Sequence, residues 1–389
     1  MKRIYFICLL LCLTTLAVRP SLAQTETVLY NFCSEPNCSD GRGPSSSLTP
    51  DGKGNFYGTT EFGGTFGDGT VFELSPNGNG GWNETVLYSF CSVGANCTDG
   101  SLPFFNVIFD SVGNLYGVAQ SGAYNYGVVW ELSPLGENWT ETVLYNFKNN
   151  ADGGDPISGV IMDSVGNLYG SNLTGGVFEL SPSGGGWTEQ VIYNVDGGKG
   201  LTMDAAGNIF GATLWNVFEL SPNGHGGWNP TVIYTSPSNY DLTGTLTLDQ
   251  VGNLYGTAIS TGRILHVTVY ELSLVTKGKN KGKWKRTVLY SFEIGKHRLE
   301  NYSYAGVLLD AAGNIYGTIL NGGEYNDGMV FELVAPVGKG SYAPKILWSF
   351  NGTDGSWPED QLILDAGNLY GTTTLGGSSG YGVLFEVAP

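Results

Sequence analysis

Histidine is almost missing from this sequence, with three in 389 residues. His225, His266 and His297 stand far apart, so a Ser-His-Asp triad or a histidine metal site would have to be assembled from distant stretches of chain. Basic residues are scarce as well, 18 Lys and Arg against 35 Asp and Glu. A general nucleic-acid binder needs a basic face for phosphate contacts, and this balance excludes one. Beyond residue 23 there is no long apolar run, which argues against a membrane-spanning helix in the mature chain. The residues that favour long helices, Ala, Leu, Glu and Lys, are not abundant. What the chain has instead is glycine, 60 residues, more than twice the average usage of about 7%. Aromatic residues make up 13%, too many for a disordered linker. The glycines have no every-third-residue period, so collagen is excluded too. Short aromatic and β-branched strands separated by many turns remain.

Residues 1–23 read as a secretory signal peptide. Lys2 and Arg3 precede an apolar stretch over 4–18, and Ser21-Leu22-Ala23 is a small-x-small cleavage signal. The segment is too short for a comfortable membrane span. Its removal takes away Lys2, Arg3 and Arg19 and no acid, so the net charge moves from −17 to −20. A secreted protein, extracellular or periplasmic, soluble and monomeric, is the expectation. Four cysteines remain, Cys33, Cys38, Cys91 and Cys97, in the related contexts FCSEPNC and FCSVGANC. In an exported chain an even count reads as disulfides. Three pairings are possible, and the repeated context favours Cys33–Cys38 and Cys91–Cys97. The spacings, without a recurring histidine, do not suit a metal site.

The main signal is an internal repeat. G-N-[LIF]-[YF]-G occurs seven times, at Asn55, Asn114, Asn167, Asn208, Asn253, Asn314 and Asn368, each preceded by an aspartate. An aromatic-Glu-[LV] motif and a TVLYSF-like segment recur equally often. The period is about 52 residues, within the range of propeller repeats. Each repeat divides into four strands: an aliphatic strand A, the LYGTT strand B after an Asp-x-x-Gly-Asn turn, the GTVFEL strand C, and the TVLYSF strand D. Tandem four-stranded antiparallel units predict an all-β, seven-bladed propeller over residues 24–389, because radial closure removes exposed sheet edges. The last repeat stops after strand C and the mature chain starts with a lone strand D, so closure of the ring by the N-terminal strand on the last blade is expected. Strand A predicts two rings around the axis. Leu48, Val107, Val160, Leu201, Leu246, Val307 and Leu362 should pack between blades. Ser47, Asn106, Gly159, Gly200, Thr245, Gly306 and Gln361 should face a narrow wet channel.

The whole unit, with its F-C-x(4)-C-[ST]-D-G, D-x-x-G-N-L-Y-G-T-T, V-F-E-L-S-P and W-x-E-T-V-L-Y-x-F segments, resembles the GloVer tandem repeat of choice-of-anchor proteins, exported bacterial proteins. The resemblance covers residues 26–389. It implies members with differing C-terminal sorting anchors and no established biochemical activity. Here nothing anchor-like follows Glu386.

Function is expected on the variable B–C and D–A loops, which share one face, since binding concentrates in variable loops on a rigid scaffold. Those loops collect Asp40, Asp68, Asp99, Asp155, Asp327 and Asp354, with Asp152 and Asp196 beside them. They also carry Tyr124, Tyr126, Trp215, Tyr325 and Trp357, along with Phe104 and Tyr381. Aromatic faces beside carboxylates suit carbohydrate, and clustered acids suit weak Ca²⁺ binding. The same Asp-Gly pairs are also ordinary turn chemistry. The seven strand-C glutamates, present in every repeat, read as architecture. The leading expectation is a non-catalytic binding scaffold for carbohydrate or a cell-surface polymer, with no cofactor. The alternative is a carbohydrate-active enzyme, a hydrolase or lyase, using a pair of funnel carboxylates. Lys277, Lys279, Lys281, Lys283, Lys285 and Arg286 gather in the longest C–D loop, a solvated hairpin tip or a contact for an anionic polymer.

Overall fold

The computed structural model describes residues 25–389 apart from 95, 137, 196, 261, 263 and 296–304. The signal-peptide segment, Asp196 and His297 therefore lie outside the described residues. The chain forms seven separate antiparallel sheets, the blades of a seven-bladed β-propeller. One short 3-10 turn, Pro36–Cys38, is the helical element present among the described residues. None there is a helix long and apolar enough to cross a membrane.

The ring closes through its ends as the strand count implies. Glu26–Asn31 pairs antiparallel with Val383–Val387, in the register Glu26 to Val387 through Asn31 to Val383. Blades one and three carry an additional short strand in the D–A segment, Arg42–Pro44 and Gly154–Pro156, which pairs with the far end of strand B.

The Asp-x-x-Gly-Asn turn works through its aspartate. In repeat three, Asp163 Oδ1 accepts the Val165 and Asn167 backbone N–H groups, and Oδ2 accepts Asn167 Nδ2 at 2.8 Å and the Tyr169 hydroxyl at 3.0 Å. One carboxylate thus ties the turn and the following strand together. The seventh turn is one residue shorter, and Asp365 pairs with Asn368 across Ala366 and Gly367. Both central residues have positive φ, 48° and 90°, as a two-residue primed hairpin turn demands. Ala366 is strained there. Ala366→Gly is expected to stabilise the protein by about 0.5–1 kcal/mol, read as a higher urea midpoint at unchanged slope. A lower midpoint would refute that reading of the turn.

The core is divided among the blade junctions. Seven buried clusters each combine residues of two adjacent blades, such as Tyr57, Val71 and Phe90 with Leu115, Val128 and Trp130. Register explains the repeated Tyr-Gly and Phe-Glu pairs. The strand-B aromatic faces the strand-C glutamate in every blade, from Tyr57 opposite Glu73 to Tyr370 opposite Glu386. The next residue, glycine, leaves room for the strand-C ring: a Cβ at Gly58 would sit 2.7 Å from Phe72. The glutamates serve the architecture. Glu131, Glu179 and Glu219 accept the serine two residues on, Glu332 accepts Tyr316 and pairs with Lys345, and Trp228 of blade four donates to Glu179 of blade three at 3.1 Å.

Two further contacts join blades. The hydroxyl after the strand-B glycine donates to a backbone carbonyl of the next blade: Thr59 to Phe105, Ser171 to Lys199, Thr257 to Ala305, Thr318 to Asp360 and Thr372 to Ser46, at 3.1–3.4 Å. A D-G-x-x-P segment forms the second. Its positive-φ residue donates a backbone N–H to the previous blade: Gly43 to Tyr381, Leu102 to Asp68, Asp155 to Tyr126 and Trp357 to Asp327. The following proline packs over the glycine that opens strand C of that blade, as Pro103 does over Gly69.

Candidate functional site

The two axial rings sit where strand A places them. Leu48, Val107, Val160, Leu201, Leu246, Val307 and Leu362 are all buried. All seven small or polar partners, Ser47 to Gln361, line a channel of about 490 Å³ to which every blade contributes. Gln361 narrows it, with Nε2 donating to the Val307 carbonyl at 2.7 Å and to Thr247 Oγ1 at 3.1 Å.

Toward the B–C/D–A face the channel widens into a funnel of about 710 Å³. Its wall is asymmetric, drawn from blades seven, one, two, three and four among the described residues. Trp215 and Trp357 stand on it with Phe104 and Phe105, and Glu61, Glu359, Gln120 and Lys199 supply polar groups. Trp215 is 56% exposed. Its loop turns on Thr213, whose Oγ1 accepts the Trp215 and Asn216 backbone N–H groups. Trp357 is held by its positive φ between Ser356 and Pro358.

The acids of the funnel are shifted toward their neutral forms. Burial, then the charge of nearby Glu61, raises Glu359 to about 7. Burial also raises Glu61, opposed by the Arg42 guanidinium. Asp360, deeper in the channel wall, is pushed well above the carboxylate range by burial and by Glu359, with Thr372 acting against both. Burial draws the Lys199 ammonium down, and Asp241 opposes it. The acids of the floor are therefore less readily ionised than exposed carboxylates while keeping their hydrogen-bonding atoms.

Of the eleven ligand-face residues expected from sequence, the funnel brings together Trp215 and Trp357. Asp40 and Asp99 are buried inside their own loops. Asp40 accepts Tyr30 Oη at 2.8 Å and the Ser34 N–H at 2.8 Å, and Asp99 accepts Tyr88 Oη and the Ser92 N–H at the same distances. Asp354 accepts Trp348 Nε1 at 3.0 Å and the Asn351 N–H at 2.9 Å. These three carboxylates organise turns. Asp68, Asp155 and Asp327 are half-buried at the blade junctions, where their backbone groups make the links described above. Tyr124, Tyr126 and Tyr325 are exposed but do not line the funnel, and the Lys148 ammonium lies 5.6 Å from the Tyr124 ring.

The cysteines pair as Cys33–Cys38 and Cys91–Cys97. Asp68 lies close to Cys91 and Cys97 in a grouping of metal-binding residue types, but with both sulfurs in the disulfide it leaves a single carboxylate.

Glu359, Asp360, Lys199 and Gln120 were not legible as site residues. A signal existed in the departures from the repeat. After the D-A-loop proline the repeats read Ser-Ser-Ser, Phe-Phe-Asn and Ile-Ser-Gly, and the seventh alone reads Glu-Asp-Gln.

Comparison with known proteins places the repeat itself. Residues 242–389 match the family model described as the Gloeobacter/Verrucomicrobia repeat. That stretch carries the GloVer repeat. No curated protein matches the chain's sequence. Among solved structures, virginiamycin B lyase from Staphylococcus aureus is 12% identical with a TM-score of 0.56, over 94% of this chain and 99% of the other. The extracellular domain of a hybrid two-component system from B. thetaiotaomicron is 16% identical with a TM-score of 0.54, over 94% of this chain and 41% of that one. A Lactobacillus plantarum protein is 13% identical with a TM-score of 0.52, over 82% and 91%. At these identities the likeness is one of fold alone. The two disulfides fit an extracellular or periplasmic setting.

Proposed function

We propose that this protein is an exported, non-catalytic binding scaffold that takes a neutral carbohydrate in the funnel of its B–C/D–A face. One observation carries the reading. The funnel sets the indoles of Trp215 and Trp357 and the ring of Phe104 around Glu61, Glu359, Gln120 and Lys199. Sugar rings stack on aromatic faces, and their hydroxyls need donors and acceptors side by side. A protonated carboxyl both donates and accepts, and Glu359, raised to about 7, holds its proton below that pH. A glycan array followed by calorimetry on the best hit tests this. Trp215→Ala is expected to weaken binding about tenfold, the effect of one lost stacking contact. Affinity is also expected to fall as pH rises through about 7, where Glu359 loses the proton it donates. No bound glycan, or equal affinity in Trp215→Ala and Trp357→Ala, would overturn the reading. A parallel thermal-shift arm with Ca²⁺ tests whether the exposed acids hold that ion.

A second reading rests on Glu359 alone. A carboxyl raised to about 7 beside another acid is placed to protonate a leaving group, as in glycoside cleavage. It expects release of reducing ends from a bound polysaccharide, lost in Glu359→Gln while binding persists.

A further inference from the structure

The C–D hairpin of blade five departs from the fold's own pattern. Other blades close this connection with uncharged or nearly uncharged tips such as Ser-Pro-Asn-Gly-Asn-Gly-Gly-Trp and Ser-Pro-Ser-Gly-Gly-Gly-Trp. Blade five replaces this with Ser-Leu-Val-Thr-Lys-Gly-Lys-Asn-Lys-Gly-Lys-Trp between strands Leu265–Leu274 and Trp284–Gly295. The blade does not need the extra residues, because its sisters turn without them. Lys277, Lys279, Lys281 and Lys283 are exposed, and no Asp or Glu occurs between Glu271 and Glu293. Among the described residues the ion pair that forms is Lys345 with Glu332, on blade six. Arg286, by contrast, is used internally: its guanidinium lies 5.0–5.9 Å from the rings of Tyr270, Tyr240 and Tyr234. The neighbouring tips add exposed His225 on blade four and Lys339 on blade six. One arc of the face opposite the funnel is therefore basic, on a protein whose overall charge is −17.

We propose that this arc, centred on Lys277, Lys279, Lys281 and Lys283, docks the protein on a linear carboxylated polysaccharide. Four like charges on one hairpin repel one another, and a polyanion relieves that repulsion while releasing its own counterions. Lysines are point charges without the planar fork of arginine, so they suit spaced single anions rather than bidentate recognition. Nucleic acid fits less well. The tip offers no exposed aromatic for base stacking, since Trp284 packs inward against Phe210. A stiff duplex would also extend beyond the basic arc over a protein of net charge −17, whereas a single flexible chain can stay on the arc. Docking at this face leaves the funnel open on the other.

The probe is immobilised polygalacturonate, read by biolayer interferometry. Wild-type protein is expected to bind at about 50 mM salt and to weaken at least tenfold by about 300 mM, where the Debye length falls below 6 Å. Replacing Lys277, Lys279, Lys281 and Lys283 together by Gln is expected to cut binding at least tenfold at the lower salt, with the melting temperature unchanged. No wild-type binding at the lower salt, or undiminished binding by the variant, would overturn the proposal. So would tighter binding to duplex DNA or to anionic phospholipid vesicles at equal charge concentration.

Discussion

A chain lacking residues 25–32 is expected to melt at least 10 °C below the full mature chain, or to fail to fold. This segment is the outer strand of the last blade, and its loss opens the ring. The backbone pairing from Glu26 to Asn31 disappears, leaving the edge of Val383–Val387 unpaired and exposed to other strands. Ala388 N–H loses the Thr25 carbonyl, and Ser378 N–H loses Asn31 Oδ1. Phe32 is fully buried at the junction of blades seven and one, 5.1 Å from the Phe72 ring. Removing one such side chain costs about 3–5 kcal/mol. Val28, Leu29 and Tyr30 pack into the clusters on either side of the same blade. Their combined loss rivals the 5–15 kcal/mol by which a typical domain is stable. Phe32→Ala separates packing from strand pairing and should cost about 3–5 kcal/mol with the ring still closed. Calorimetry on the three proteins decides it. Equal melting temperatures for the truncated and mature chains would show that the ring does not depend on its closing strand.

The ring was legible because its instructions repeat. Asp163 must tie a turn, Gly170 must clear Phe178, and Ser171 must reach the next blade, and equivalent residues recur around the circle, with Val118 and Ala212 in place of the hydroxyl in two blades. The site was less legible for the same reason. Asp40 and Asp99 resemble ligand-binding acids in a list of loop residues, yet each is consumed by the turn it starts. Glu359 and Asp360 stand where other repeats carry serine, phenylalanine or isoleucine, and their meaning depends on facing the axis. Trp215 and Trp357 were legible as candidates because a large aromatic residue in a variable loop is conspicuous without knowing where it points. That the funnel gathers these two but not Tyr124, Tyr126 or Tyr325 depends on radial position, which the one-dimensional repeat does not encode.

Mild acid is expected to stabilise this protein, with the melting temperature falling between pH 5 and pH 8.5. The cause lies on the outer rim, at four consecutive blade junctions. The strand-D glutamates Glu26, Glu84, Glu141 and Glu189 each lie near the loop aspartate that precedes their blade: Asp354, Asp40, Asp99 and Asp152. In each glutamate Oε1 is buried without a hydrogen-bond partner among the described residues. Burial first, then the neighbouring aspartate, raises Glu26 and Glu189 to about 7 and Glu84 and Glu141 to about 8, from an ordinary 4.5. Asp40 and Asp99 each accept three or more hydrogen bonds from their own loops, which the glutamates do not share. Between pH 4.5 and about 8 the folded chain therefore holds more protons at these glutamates than the unfolded chain, and stability falls as pH rises through that window. The turn aspartates set the acid limit. Burial acts to raise Asp110, Asp163 and Asp310, but the hydrogen bonds they accept outweigh it and lower all three, so their contribution is lost as pH falls below their ordinary 3.8. Solvent screening reduces each glutamate to about 1 kcal/mol, which for four groups gives about 4 kcal/mol. At an unfolding entropy of about 2.1 cal/mol/K per residue, a chain of this length should lose about 5 °C across the window. Glu84→Gln with Glu141→Gln removes two ionisations without changing shape. The double variant should melt above wild type at pH 8.5 and show a flatter pH profile. A wild-type melting temperature that rises from pH 5 to pH 8.5 would mean that these glutamates stay ionised in the folded ring.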